Sequence, residues 1–207
     1  MRFTALSVVA CLLAPAVSAF QLCQADTGKL DALKTVGANN AVTGYSLVFD
    51  AGLKEYNPNV AVNVTVPGGG NFQQILLYAA ENRYGNHSGT WVNYDKGAYE
   101  TLDGKDETSN PAGCAKLGLA ATLASKNTDA KTLPATFQWL PPATPTSGSI
   151  RFWGIVVKSP ELGYTYVYTE GVKAQNPYPQ VQANSASAAT GCVALLLASV
   201  ASGLLFL

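Results

Sequence analysis

Short runs of β-branched and aromatic residues, cut apart by proline, glycine and asparagine, fill most of this chain. Strand signals fall at 45–49, 60–66, 74–80, 90–93, 117–125, 135–140, 149–158 and 164–169. Turn formers stand between them: Asn57-Pro58-Asn59, Pro67-Gly68-Gly69-Gly70, Asn110-Pro111, Pro141-Pro142 and Ser159-Pro160. Only 26–36, with Leu30, Leu33 and Val36 at helical spacing, reads as a helix. Strands this short bury a core only by stacking sheet on sheet, so the expected fold is all-β, an antiparallel β-sandwich of about eight strands. Val60, Val62, Val64 and Val66 alternate with Ala61, Asn63 and Thr65. Successive strand side chains point to opposite faces, which puts the valines in the core and Asn63 in water. The stretch 95–113 carries Asp95, Glu100, Asp103, Asp106 and Glu107 and is expected to be an exposed loop.

Both ends are apolar, and nearly all charge lies between them. Arg2, an apolar run and the small residues Val17-Ser18-Ala19 have the form of a cleaved signal peptide over 1–19. The domain is then expected over 20–172 and a proline-bearing stalk, with Pro177 and Pro179, over 173–184. The last apolar run, from Gly191 to Leu207, is 17 residues, about 25 Å as a helix. That is short for a bilayer core of about 30 Å, and no lysine or arginine follows it. A run of small and polar residues precedes it. This is the pattern of a GPI-anchor signal, with 185–207 as the propeptide and Asn184 as the expected attachment residue. The expected location is secreted, at the cell surface, held to the plasma membrane or wall by that anchor.

Thirteen basic residues balance thirteen acidic ones, and removing Arg2 leaves a net charge near −1. Such a surface has no field to draw in nucleic acid, and no such partner is expected. Cys11 and Cys192 lie in the terminal runs, leaving Cys23 and Cys114. In an oxidising compartment two thiols most simply pair; two free thiols or a metal pair are the alternatives. Asn63-Val64-Thr65 and Asn86-His87-Ser88 are N-glycosylation triplets.

Catalytic signatures are sparse. His87 is the single histidine, no GxSxG nucleophile motif occurs, and one histidine with two cysteines makes a poor zinc set. No catalytic residue, metal or other cofactor is therefore expected. The acidic loop offers Asp95, Asp103, Asp106 and Glu107 as oxygen ligands for calcium, but without EF-hand spacing a solvated loop is the simpler reading. Two facing carboxylates of a glycosidase leave no mark in sequence, which keeps a cell-wall-active enzyme as the alternative function. Tyr164, Tyr166 and Tyr168 alternate and so share one strand face; with Trp91 they are the candidate binding residues for an extracellular protein or carbohydrate. Packing of the same rings in the core is the competing reading.

One stretch is more specific: Phe137-Gln138-Trp139-Leu140-Pro141-Pro142, followed by Gly148-Ser149-Ile150-Arg151-Phe152-Trp153-Gly154-Ile155-Val156-Val157. Together with Gln73 to Ala79, Gly89-Thr90-Trp91 and Cys114, it resembles the reeler family. The resemblance runs from about Cys23 to Tyr168 and implies an immunoglobulin-like sandwich in which Cys23 pairs with Cys114. The chain departs from it in lacking cysteines for the family's second disulfide and in reading Leu119-Ala120-Ala121-Thr122-Leu123 after Cys114. No shared catalytic set comes with the family. The expected function is a GPI-anchored, non-enzymatic surface module for adhesion, matrix or cell-wall contact, with a defence role as a reading by family analogy alone.

Overall fold

A computed structural model describes residues 22–33, 37–38, 44–103, 113–145 and 148–175. Asn184, Asp106, Glu107, the two apolar ends and most of the expected stalk lie outside the described residues.

Two antiparallel sheets stack as expected. The first has four strands in the order β1 (Val48–Phe49), β3 (Val62–Val66), β10 (Ala135–Leu140), β6 (Thr90–Val92). The second has five: β12 (Gly163–Tyr168), β11 (Arg151–Ser159), β5 (Gln74–Ala80), β8 (Thr122–Ser125), β7 (Tyr99–Thr101). Two minor pairs complete the domain, β4 (Asn71–Phe72) with β9 (Lys131–Thr132), and β2 (Glu55–Tyr56) with β13 (Lys173–Ala174), the latter parallel.

Between the sheets, Val62, Val64 and Val66 face Ile75, Leu77 and Ala79 across a core of aromatic rings. Phe152 is its hub, stacked on Phe49 at 5.3 Å and meeting Trp139 edge-on at 5.0 Å and Trp91 at 6.1 Å. Trp139 donates its Nε1 proton to the Ser88 carbonyl at 2.8 Å. That closeness requires Gly89: its φ is +68°, and a Cβ there would collide with the Trp139 indole and the Leu140 carbonyl.

The five-stranded sheet is unusual in having a second apolar face. Leu76, Tyr78, Ala80, Trp153, Ile155, Val157 and Tyr164 point away from the first core and are buried all the same. This is why β5 reads as an unbroken apolar run rather than an alternation. Residues 22–33, including helix α1 (Thr27–Leu33), cover this face with Ala25 and Leu30. Cys23 is bonded to Cys114, which resolves the pairing left open by the residues alone. Arg83 adds a clamp, donating through Nε to the Ala25 carbonyl at 2.6 Å, through Nη2 to the same oxygen, and to the Thr27 hydroxyl at 3.1 Å.

Several expectations shift. Val60 is 54 % exposed and precedes β3, because Asn59, at φ +57°, prolongs the turn in which the Val60 amide bonds the Asn57 carbonyl. The 117–125 signal yields a strand only from Thr122; before it lie a 3-10 turn at Cys114–Lys116 and Leu119, 69 % exposed. The acidic stretch is not all loop, since Tyr99 anchors edge strand β7 in the core. Lys173–Ala174, placed by composition in the stalk, pairs with β2. The strands at 55–56, 71–72 and 131–132 carried no sequence signal; Lys131 is fixed there by Nζ bonds of 2.8–3.0 Å to the Gln73, Asn127 and Asp129 carbonyls and the Asn127 side chain.

The disulfide closes a loop of sequence separation 91, which constrains the unfolded chain by about 4–5 kcal/mol in the chain-entropy account. Replacing both cysteines with serine should lower the unfolding free energy by that order, measured by urea titration. Phe152→Ala should cost about 3–5 kcal/mol in the same assay.

Candidate functional site

Tyr164, Tyr166 and Tyr168 do share one face of β12, the outer face of the five-stranded sheet, but the covering segment divides them. Tyr164 lies beneath it, fully buried, and donates its hydroxyl proton to the Asp31 carboxylate at 2.8 Å. Burial, then that bond and charge, hold its pKa above the usual value. It is a docking residue for α1 rather than a binding residue. Tyr166 is half-buried and Tyr168 is 53 % exposed.

Trp91 is corrected outright. It is 3 % exposed, belongs to the inter-sheet core and donates Nε1–H to the Ala121 carbonyl at 3.0 Å. Its place on β6, across from Trp139, turns the ring inward. The ring that does join the tyrosines is Trp153, cross-strand from Tyr168. Trp153 lies 5.9 Å from Tyr168 and 6.4 Å from Tyr166, and the two tyrosine rings are 5.6 Å apart.

Arginines flank the rings. Arg83 sits 4.3 Å over Tyr166 and 5.1 Å from Tyr84, which is 58 % exposed; Arg151 sits 5.9 Å over Trp153. The guanidinium of Arg83 is therefore engaged on aromatic faces and on the covering segment at once. Such contacts contribute about 0.5–1 kcal/mol each when exposed, and more as water is excluded. The resulting patch of Arg83, Tyr84, Arg151, Tyr166 and Tyr168, backed by the buried Trp153, is preorganised and amphipathic, with Tyr84 and Tyr168 exposed to solvent and Arg83, Arg151 and Tyr166 half-buried. It can stack on a flat apolar face and donate hydrogen bonds around it. The alternating tyrosines announced it; Arg151 and Trp153 arrive through the register of β11, and Arg83 through the turn that follows β5.

His87 takes no part in the patch. It is 8 % exposed, stacks on Tyr78 at 4.1 Å and shares a 2.7 Å hydrogen bond with the Thr122 hydroxyl. Asp95 serves its own turn, its carboxylate accepting the Gly97 amide at 2.8 Å. Among the described residues no three histidine, cysteine or carboxylate side chains gather as metal ligands, and no helix is long and apolar enough to cross a membrane. Asn63 is half-buried on the outer face of the four-stranded sheet, and Asn86 is exposed.

Two stacked sheets, the Cys23–Cys114 disulfide and a covered second face define a disulfide-bonded β-sandwich module. The chain belongs to the reeler family: the reeler domain model matches residues 30–179. Among solved structures it is similar to the Reelin-N domain of F-spondin, at TM-score 0.50 and 13 % identity, covering 72 % of this chain and 98 % of that one. It is also similar to a fragment of the human F-spondin reeler domain, at TM-score 0.47 and 16 % identity, covering 63 % and 89 %. No curated protein matches. The reeler domain is an extracellular-type module, consistent with a contact role rather than catalysis.

Burial holds the His87 pKa down to about 4, against 6.5 for the free side chain. Between those values the unfolded chain binds the extra proton. Stability is therefore complete above about pH 6.5 and falls as the pH drops toward 4. The unfolding free energy should be about 2 kcal/mol smaller at pH 5 than at pH 7 on this account. His87→Gln, which keeps a polar partner for Thr122 but does not titrate, should flatten that part of the profile.

Proposed function

We propose that this protein is a non-enzymatic contact module, exported, attached to the cell surface through a GPI anchor at Asn184, and binding surface carbohydrate through Tyr166 and Tyr168, which Trp153 supports from beneath. The observation that carries the reading is that Tyr166 and Tyr168, grouped beside the buried Trp153 on one sheet face, reach solvent where the covering segment ends. A ring left partly in water is amphipathic, and it suits a pyranose, which is apolar on its C–H face and polar at its rim. The arginines supply donors for that rim. The balanced net charge fits recognition by short-range stacking rather than by long-range steering.

The anchor rests on the short apolar C-terminal run and the small residues before it. Phosphatidylinositol-specific phospholipase should release the protein from its cells; full retention would favour a spanning helix. On an array of glycans and wall polymers, the purified protein should bind, and Tyr168→Ala should weaken binding about tenfold, the equivalent of one lost aromatic stack. Undiminished binding by that variant would remove the patch from the account, and binding confined to a protein would replace carbohydrate as the ligand.

A further inference from the structure

The edge of the patch formed by Tyr84 sits in a turn that the fold holds unusually firmly. Residues 82–88 bulge out between β5 and β6. Inside the turn, the Gly85 amide bonds the Asn82 carbonyl at 3.1 Å and the Tyr84 amide bonds the Asn82 side chain at 3.2 Å. Outside contacts fix it on every side. Tyr78 donates its hydroxyl proton to the Arg83 carbonyl at 2.6 Å, and Gln24 donates to the Gly85 carbonyl at 3.2 Å. The His87 amide bonds the Leu117 carbonyl at 2.7 Å, the Ser88 amide bonds Ala79 at 2.7 Å, and Trp139 donates to the Ser88 carbonyl.

This turn carries the triplet Asn86-His87-Ser88, with Asn86 exposed and the 58 % exposed Tyr84 ring two residues before it. Arg83 occupies one side of that ring at 5.1 Å, and the rest faces water. The attachment atom and the open ring are thus held in a fixed relation by a backbone that cannot easily rearrange.

We propose that Asn86 carries an N-linked glycan whose first saccharides pack against Tyr84, so that the sugar extends the Arg83–Tyr84 end of the aromatic patch and stabilises the domain. The acetamido sugar attached to asparagine has an apolar C–H face that matches the open side of the tyrosine ring, while its hydroxyls stay in water. Because the turn is already rigid, little conformational entropy is lost when the two meet. Asn63 provides the contrast. It is half-buried in β3 beside Thr65, whose hydroxyl is bonded to that of Thr136 at 3.0 Å, and opposite Gln138. A glycan there leaves from a polar sheet face, far in sequence from Tyr84. The inference does not depend on any ligand of the patch.

The test is a double-mutant cycle on the full chain made in a eukaryotic secretory host. Peptide mass mapping with and without enzymatic deglycosylation should find Asn86 occupied. Asn86→Gln and Tyr84→Ala should each lower Tm by about 2–4 °C, and the double variant should lower it no further than either alone. Ser88→Ala, which keeps Asn86 but destroys the triplet, should behave as Asn86→Gln does. Asn63→Gln combined with Tyr84→Ala should show additive shifts. An unmodified Asn86 overturns the proposal, and so does a Tyr84→Ala effect that persists undiminished in the Asn86→Gln background.

Discussion

The five-stranded sheet is apolar on both faces, and the four-stranded sheet can bury only one of them. Everything distinctive about this domain follows from the need to cover the other. Residues 22–33 do so, and they are too few to hold their place by packing alone: α1 is only seven residues long. Covalent and polar ties supply the difference. The Cys23–Cys114 bridge fixes one end of the segment, Arg83 holds the Ala25 carbonyl, the Ala25 amide bonds the Tyr78 hydroxyl at 3.1 Å, and Tyr164 meets Asp31. The hydrogen bonds among these ties give partners to buried or part-buried polar groups, which is where a hydrogen bond contributes most.

The candidate site is the margin of that cover. Beneath the segment, Tyr164 and Tyr78 are structural. One register step along β12, Tyr166 is partly open; at Tyr168 the face is in water. Arg83 sits on the boundary, with bonds to the segment on one side and rings on the other, so the order of the patch depends on the cover being in place. A change that loosens residues 22–33 therefore alters the patch as well as the stability. His87 belongs to the same economy of packing, held neutral beneath the turn that carries Tyr84 and Asn86.

How much of this was legible depended on whether a residue's fate was decided locally. Strand periodicity placed β5, β10 and β12 to within a residue and β3 and β11 to within two, because alternating or continuous apolar runs reflect burial directly. Val60 failed because a left-handed Asn59 moved the strand's start. The two-residue strands failed because their pairing is imposed by partners distant in sequence. Compartment and count favoured a Cys23–Cys114 bond but left free thiols or a metal pair open, and the tyrosine alternation correctly marked the outer face of β12. Trp91 went astray because a ring on a three-residue strand can face either way by sequence, and here it is drawn between the sheets.

The sequence by itself determined the class of fold, the disulfide partners available and the side of β12 on which its tyrosines stand, since these depend on composition and on the two-residue period of a strand. Only the tertiary structure decided which of those tyrosines remain in water. That depends on how far a disulfide-held segment, more than a hundred residues away in sequence, reaches across the sheet, on the register that brings Trp153 and Arg151 beside them, and on the turn that carries Arg83. Exposure is a property of neighbours, and the neighbours here meet only after the chain has folded.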